Sequence, residues 1–202
     1  MILQINEENL KKAADAIREG KVVVFPTESF YGLGADGTNE EAIRKVFKIK
    51  KRSEKKPILL IIGKKEMLYS LVEEIPEIAE RLMERFWPGP LTIVFKAKKT
   101  LSPLLTSGTG KIGIRLSGNP FARRLSQLSS VPITGTSANL SGKDPCRSVE
   151  EVISQLNEGP DVILDGGYLR SDLPSTVVDI TEGRLKIIRE GIISKEELSV
   201  YA

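Results

Sequence analysis

Three short polar segments carry the side chains best suited to chemistry: Pro-Thr-Glu-Ser at 26–29, Thr-Ser-Ala-Asn at 136–139 and Pro-Ser-Thr at 174–176. Small hydroxyl residues beside free backbone amides cradle the oxygens of phosphates and carboxylates. Taken singly, each is as well read as a helix cap or a closed turn. Their company is more telling, because Lys50-Lys51-Arg52 lies in a stretch, Lys45 to Lys56, with seven cationic residues and one acid. Fixed positive charge and hydroxyl donors together suit the stabilisation of charge on a transferring phosphoryl group. A charge run of this kind also serves as a plain solvated face.

Composition narrows the chemistry further. The 202 residues contain no histidine and one cysteine, Cys146. Ser-His-Asp triads, Cys-His dyads and histidine metal sites are thereby removed, and zinc chemistry with them. What remains is catalysis by Lys, Arg, hydroxyls, carboxylates and backbone amides. Gly32, Gly34 and Gly37 match G-x-G-x-x-G, but six residues, PTESFY, separate them from the preceding strand, and the region about twenty residues on is basic where a ribose-binding acid is wanted. Gly110-Lys111 lacks the upstream glycine and following hydroxyl of a P-loop. The net charge of +3 permits nucleic-acid contact without requiring it. No run of about 18 apolar residues occurs, and the start has no basic segment followed by a long apolar core. The expectation is a cytoplasmic chain, complete at its N-terminus and not bound to a membrane.

The elements that must position these residues follow from periodicity and capping. Helices are expected over 6–19, from Thr38 or Asn39 to Lys50, over 65–72 and 76–86, from Asn119-Pro120 to Leu128, and from Ser148 to Leu156. Short apolar or alternating runs predict strands at 22–25, 58–62, 91–96, 112–116, 132–134, 162–164, 177–180 and 185–188. Strands and helices alternate without a repeat or a clear linker, and several strands are joined by turns alone. The fold class expected is therefore α/β or α+β: one domain over residues 1–202, with one large mixed sheet flanked by helices.

Taken together, the motifs VVVFPTESFYGLGAD, Lys50-Lys51-Arg52, RFWPGPLTIVF, the GIRL strand, Ser137-Ala138-Asn139 and STVVDI followed by IIREG resemble the YrdC family. The likeness runs from about Ile17 to Gly191, in the short, single-domain form. Four positions depart from the family's usual pattern: Ser53 replaces a proline, Lys56 an asparagine, Ile61 a histidine, and Ser29 the final threonine of the usual PTET. The resemblance implies a large twisted sheet with an open cationic cleft, and an enzyme that forms threonylcarbamoyl-AMP and pyrophosphate from L-threonine, bicarbonate and ATP, with Mg²⁺ accompanying the nucleotide and no metal held by the protein.

By the same resemblance Lys50 and Arg52 are the catalytic pair. Lys50, Arg52, Lys56, Lys111, Ser137, Asn139 and Arg189 hold the ATP, Lys111 more weakly and Arg189 nearer the nucleotide. Thr27, Ser29, Arg115 and Ser175 form the threonine side, where Arg115 pairs the carboxylate as a fork. Lys50 and Arg52 are both expected on an exposed basic segment. The product would pass to the complex that transfers threonylcarbamoyl to tRNA, and weak tRNA contact is compatible. Two other readings stay open: formation of a carbamoyl-adenylate from carbamoyl phosphate, and non-catalytic RNA binding, for which only Phe47 interleaves the basic stretch as an aromatic.

Overall fold

The computed structural model describes residues 1–157 and 159–201. Its first half runs β1 (Ile2–Gln4), α1 (Glu7–Arg18), β2 (Val23–Pro26), β3 (Tyr31–Gly34), α2 (Glu40–Lys50), β4 (Leu60–Ile61), a 3₁₀ turn (Lys65–Ser70) and α3 (Glu77–Phe86). Then come β5 (Leu91–Lys96), α4 (Pro103–Thr106), β6 (Lys111–Arg115), α5 (Pro120–Ser129), β7 (Ile133–Thr134) and β8 (Thr136–Ser137). The chain closes with α6 (Val149–Leu156), β9 (Val162–Asp165), β10 (Thr176–Asp179), β11 (Lys186–Arg189) and α7 (Lys195–Ser199).

Helices begin where the capping residues place them. The side chains of Asn6, Asn39, Asn119 and Ser148 each accept an amide hydrogen bond from the first turn that follows, satisfying donors a helix leaves free. Acids at Glu7, Glu8, Glu40 and Glu41 add favourable charge at two of these N-termini. Lys65–Ser70 forms a tight 3₁₀ turn in place of the helix to Val72 that the apolar spacing predicts.

The strands divide between two sheets, where one large sheet is expected from the pattern. One has the order β1-β9-β2-β3-β8 and the other β11-β10-β5-β6-β4-β7. Both mix parallel and antiparallel pairs. The division is made at one residue. β7 pairs with β4 in the six-stranded sheet, β8 pairs with β3 in the five-stranded sheet, and only Gly135 separates β7 from β8. A Cβ at Gly135 would lie 2.5 Å from Leu59 Cδ1 and 2.7 Å from Ile61 Cγ1, so the crossing passes only a bare backbone. Strands β3 and β8 are absent from the sequence expectation because glycines, serine and threonine hide their strand character.

Two apolar clusters hold the sheets. Leu10, Ala13, Ala14 and Ile17 of α1 pack with Ala122 and Leu125 of α5 over Val23 and Phe25 of β2. A larger cluster joins Ile43 and Val46 of α2 to Leu33, Leu60, Ile93, Ile112, Ile114 and Val178. Each fully buried Ile or Val contributes about 1.5–3 kcal/mol, an upper bound because the unfolded chain already buries some surface.

Candidate active site

Alternation along the six-stranded sheet builds one wall of a cavity of about 590 Å³. Thr92 and Val94 of β5, Lys111, Gly113 and Arg115 of β6, and Val177 and Asp179 of β10 line it. The intervening Ile93, Ile112, Ile114 and Val178 point the other way and are buried in the core. This is the period-two geometry of a strand, with one face committed to packing and the other to the site. The five-stranded sheet and its loops add Thr27, Ser29, Phe30, Tyr31, Thr136 and Ser137.

Eight of the eleven expected site residues meet here: Thr27, Ser29, Arg52, Lys111, Arg115, Ser137, Ser175 and Arg189. The Thr27 hydroxyl donates to the Phe30 carbonyl at 2.7 Å, accepts from the Ser29 amide, and lies 3.1 Å from the Ser29 hydroxyl. Arg189 donates to the Ser175 carbonyl from Nη2 at 2.9 Å and to its hydroxyl at 3.1 Å. Loss of water around the Arg189 guanidinium, and then the like charge of Arg115, hold its pKa below the ordinary arginine value.

Arg52 reaches the cavity because α2 ends abruptly. Lys51 adopts a left-handed conformation, φ 49°, and the Arg52 amide turns back to the Phe47 carbonyl at 2.9 Å. The Arg52 guanidinium then donates to the Pro57 carbonyl at 2.9 Å. Desolvation holds its pKa below the ordinary value too. Lys111 is more committed: its ammonium donates to Asp179 Oδ2 at 2.9 Å, a bond that raises its pKa. Burial pushes Asp179 up, but bonds from Thr181 and Lys111 more than offset it, so its carboxylate stays below the ordinary range.

Lys50 corrects the expectation of an exposed cation. It is 1% exposed, and its ammonium donates to the carbonyls of Ser137 and Asn139 and to Asn139 Oδ1. The reason is helical spacing, since Lys50 sits seven residues after Ile43 and three after Phe47 on the buried stripe of α2. Asn139 is likewise turned inward: its Oδ1 accepts the Ser137 hydroxyl at 2.5 Å and its amide donates to the Lys143 carbonyl. Neither lines the cavity. Lys56 is exposed off the wall, and its carbonyl accepts from Arg52 Nε at 3.4 Å.

Glu28, Ser117, Thr92 and Asp179 belong to the site or stand directly behind it, although sequence reasoning does not single them out. Glu28 and Asp179 lie inside the recognised PTES and STVVDI motifs. That placement is the signal through which they were accessible.

Residues 15–191 match the family model Sua5_yciO_yrdC, described as telomere recombination. The chain is 40% identical over 195 residues to a threonylcarbamoyl-AMP synthase of Pyrococcus abyssi, covering 96% of this chain and 57% of that protein. It is 35% identical to the threonylcarbamoyl-AMP synthase of Aliivibrio fischeri, covering 91% of this chain and the whole of that one. Among solved structures, P. abyssi Sua5 complexed with L-threonine superposes with a TM-score of 0.96 at 38% identity, over all of this chain and 60% of that one. E. coli YciO gives 0.88 at 27% identity, over 100% and 99%. The chain thus spans less than two thirds of the P. abyssi protein and nearly all of the shorter relatives. With a matching family model over most of its length, and the fold of these solved relatives, this chain belongs to the Sua5/YciO/YrdC family.

Proposed function

We propose that the chain forms threonylcarbamoyl-AMP from L-threonine, bicarbonate and ATP. The observation that carries this reading is the convergence of Arg52, Arg115 and Arg189 with the hydroxyls of Thr27, Ser29, Ser137 and Ser175 on one cavity. Relatives named threonylcarbamoyl-AMP synthase and a P. abyssi structure complexed with L-threonine support it.

In this reading the threonine amine captures bicarbonate as a carbamate, with loss of water. A carbamate oxygen attacks the α-phosphorus of ATP; the new O–P bond forms as the bond to the β-phosphate oxygen breaks, and pyrophosphate leaves. Arg52 and Arg189, with Ser137, neutralise the phosphates, and Arg115 with Thr27, Ser29 and Ser175 holds the amino acid. Bringing carbamate and phosphate together in reactive geometry supplies much of the acceleration. Lys50 and Asn139 act from behind by fixing the Ser137 segment, Lys111 has a minor part because Asp179 engages it, and Lys56 meets phosphates only beyond the wall.

The described residues contain no group of three or more Asp, Glu, Cys or His side chains placed to hold an ion. In this reading Mg²⁺ enters as a companion of the substrate triphosphate. The reading places the protein in the cytoplasm, as a nucleotidyltransferase working upstream of the complex that transfers threonylcarbamoyl to tRNA, with weak tRNA contact compatible. No helix among the described residues is long and apolar enough to cross a membrane.

Mass spectrometry of a reaction containing ATP, Mg²⁺, bicarbonate and L-threonine tests this reading. Threonylcarbamoyl-AMP and pyrophosphate are the expected products. A product formed only when carbamoyl phosphate replaces threonine and bicarbonate would overturn it.

A further inference from the structure

We propose that Glu28 is a positioning residue for Arg115, holding the guanidinium from behind so that its donors face a substrate carboxylate in the cavity. The proposal rests on the assignment of Arg115 to the amino-acid carboxylate and extends it to a residue behind the wall.

Thr27 and Ser29 both line the cavity, whereas Glu28 between them does not. Its carboxylate instead faces Arg115, with Oε1 3.7 Å from Arg115 Nη1 and side chains 16% and 4% exposed. That distance is an ion pair without a hydrogen bond. Glu28 Oε1 and Arg115 Nε are both buried and have no hydrogen-bond partner. The other carboxylate oxygen is fixed, because the Ser117 hydroxyl donates to Oε2 and itself accepts from the Asn119 amide at 3.2 Å.

A buried guanidinium with unspent donors is costly, and an anion entering from the cavity side relieves that cost. Glu28 supplies the counter-charge that lets Arg115 stay buried beside Arg189, yet it stands too far off to consume the donors. A planar carboxylate matches the guanidinium fork, so an α-amino acid is the ligand class this arrangement fits.

The test measures L-threonine binding to the full chain by calorimetry, for the parent protein and for E28Q, S117A and R115A, with thermal denaturation and binding of a non-hydrolysable ATP analogue as controls. E28Q keeps size and can still accept from Ser117 but loses the charge. It should weaken threonine binding by on the order of tenfold to a hundredfold, the scale of losing a hydrogen bond to a charged group. ATP-analogue affinity and melting temperature should be unchanged, and in turnover the threonine KM should rise while kcat stays within about twofold. S117A, which frees Oε2, should shift threonine affinity in the same direction by less, and it decides the matter if E28Q proves unstable. Parent-like or tighter threonine binding in E28Q, with R115A weakened, overturns the role of Glu28 alone. Parent-like binding in R115A overturns the carboxylate assignment beneath it.

Discussion

The Nζ of Lys50 lies 2.6 Å from the Asn139 carbonyl oxygen and 3.1 Å from the side-chain oxygen of the same residue. One buried ammonium thus ties the last turn of α2 to the segment that carries Ser137. The tie runs in both directions, since the Ser141 amide donates to the Lys50 carbonyl at 2.9 Å. Arg52, two residues on, lines the same cavity as Ser137.

Lys50→Ala should therefore unfold more easily than the parent as well as lose nucleotide binding. Removing the ammonium strands the buried Asn139 carbonyl, a cost of about 1–3 kcal/mol for an unsatisfied group, while the Ser137 carbonyl keeps the Asn139 amide at 3.0 Å. In a chain of this size that lowers the melting temperature by roughly 2–4 °C per kcal/mol. A variant with parent melting temperature and no activity would restore Lys50 to the role of direct ligand.

Stability should also depend on pH through Lys50. Desolvation first, and then the charge of Arg52, lower its pKa to about 7 from 10.5, with Cys146 acting the other way. Above about pH 7 the unfolded chain keeps this proton while the native chain has released it, so stability rises with pH toward 10.5. Below pH 7 the native state carries the full penalty of the buried charge. Burial raises the Cys146 thiol to about 11 and the Tyr31 hydroxyl to about 12, which act oppositely above about pH 9, so the clean window is pH 7–9. Urea midpoints of the parent should climb across this window relative to Lys50→Met. Equal slopes in both proteins would count against a native Lys50 near neutrality.

Arg52→Ala and Lys111→Ala should separate sharply. Arg52 presents its guanidinium to the cavity, and its loss should weaken an ATP analogue by about 1.5–3 kcal/mol, the range for hydrogen bonds to charged groups. Lys111 is engaged by Asp179, so its removal should cost the same ligand less than about 1 kcal/mol. Titration calorimetry reads both, and a larger loss for Lys111 would reverse the assignment.

Thr176→Val probes the turn beneath Arg189. The buried Thr176 hydroxyl accepts from the amides of Gly191 and Ile193 and donates to the Ile193 carbonyl at 2.6 Å. Valine keeps the shape and strands all three groups, which should cost about 2–4 kcal/mol in chemical denaturation. Parent stability in this variant would show that water satisfies the turn instead.

Most of this architecture is written in local signals. Asn6, Asn39, Asn119 and Ser148 announce their helices, and the alternation Lys111-Ile112-Gly113-Ile114-Arg115 announces both a strand and the face its cations take. The convergence of Thr27, Arg52, Ser137 and Ser175 was legible through motif order. Burial of Lys50 was present as helical spacing but masked by its basic neighbours, because charge in sequence suggests solvent. The partners of Lys111 and Arg115, Asp179 and Glu28, lie 68 and 87 residues away, and no local pattern encodes such pairs. Strands β1, β3 and β8 are too short or too polar to register, and their pairing comes from tertiary contact.

The crossing at Gly135 works as a ruler. Thr134 is paired with Leu60 of the six-stranded sheet on one side, and Ser137 is paired with Gly32 of the five-stranded sheet on the other. The reach between the two sheets is therefore counted in backbone atoms. One inserted residue would invert which side of β8 the serine occupies. At this point the spacing of the two sheets is consequently set by chain length between two fixed points, a quantity that side-chain substitution does not alter.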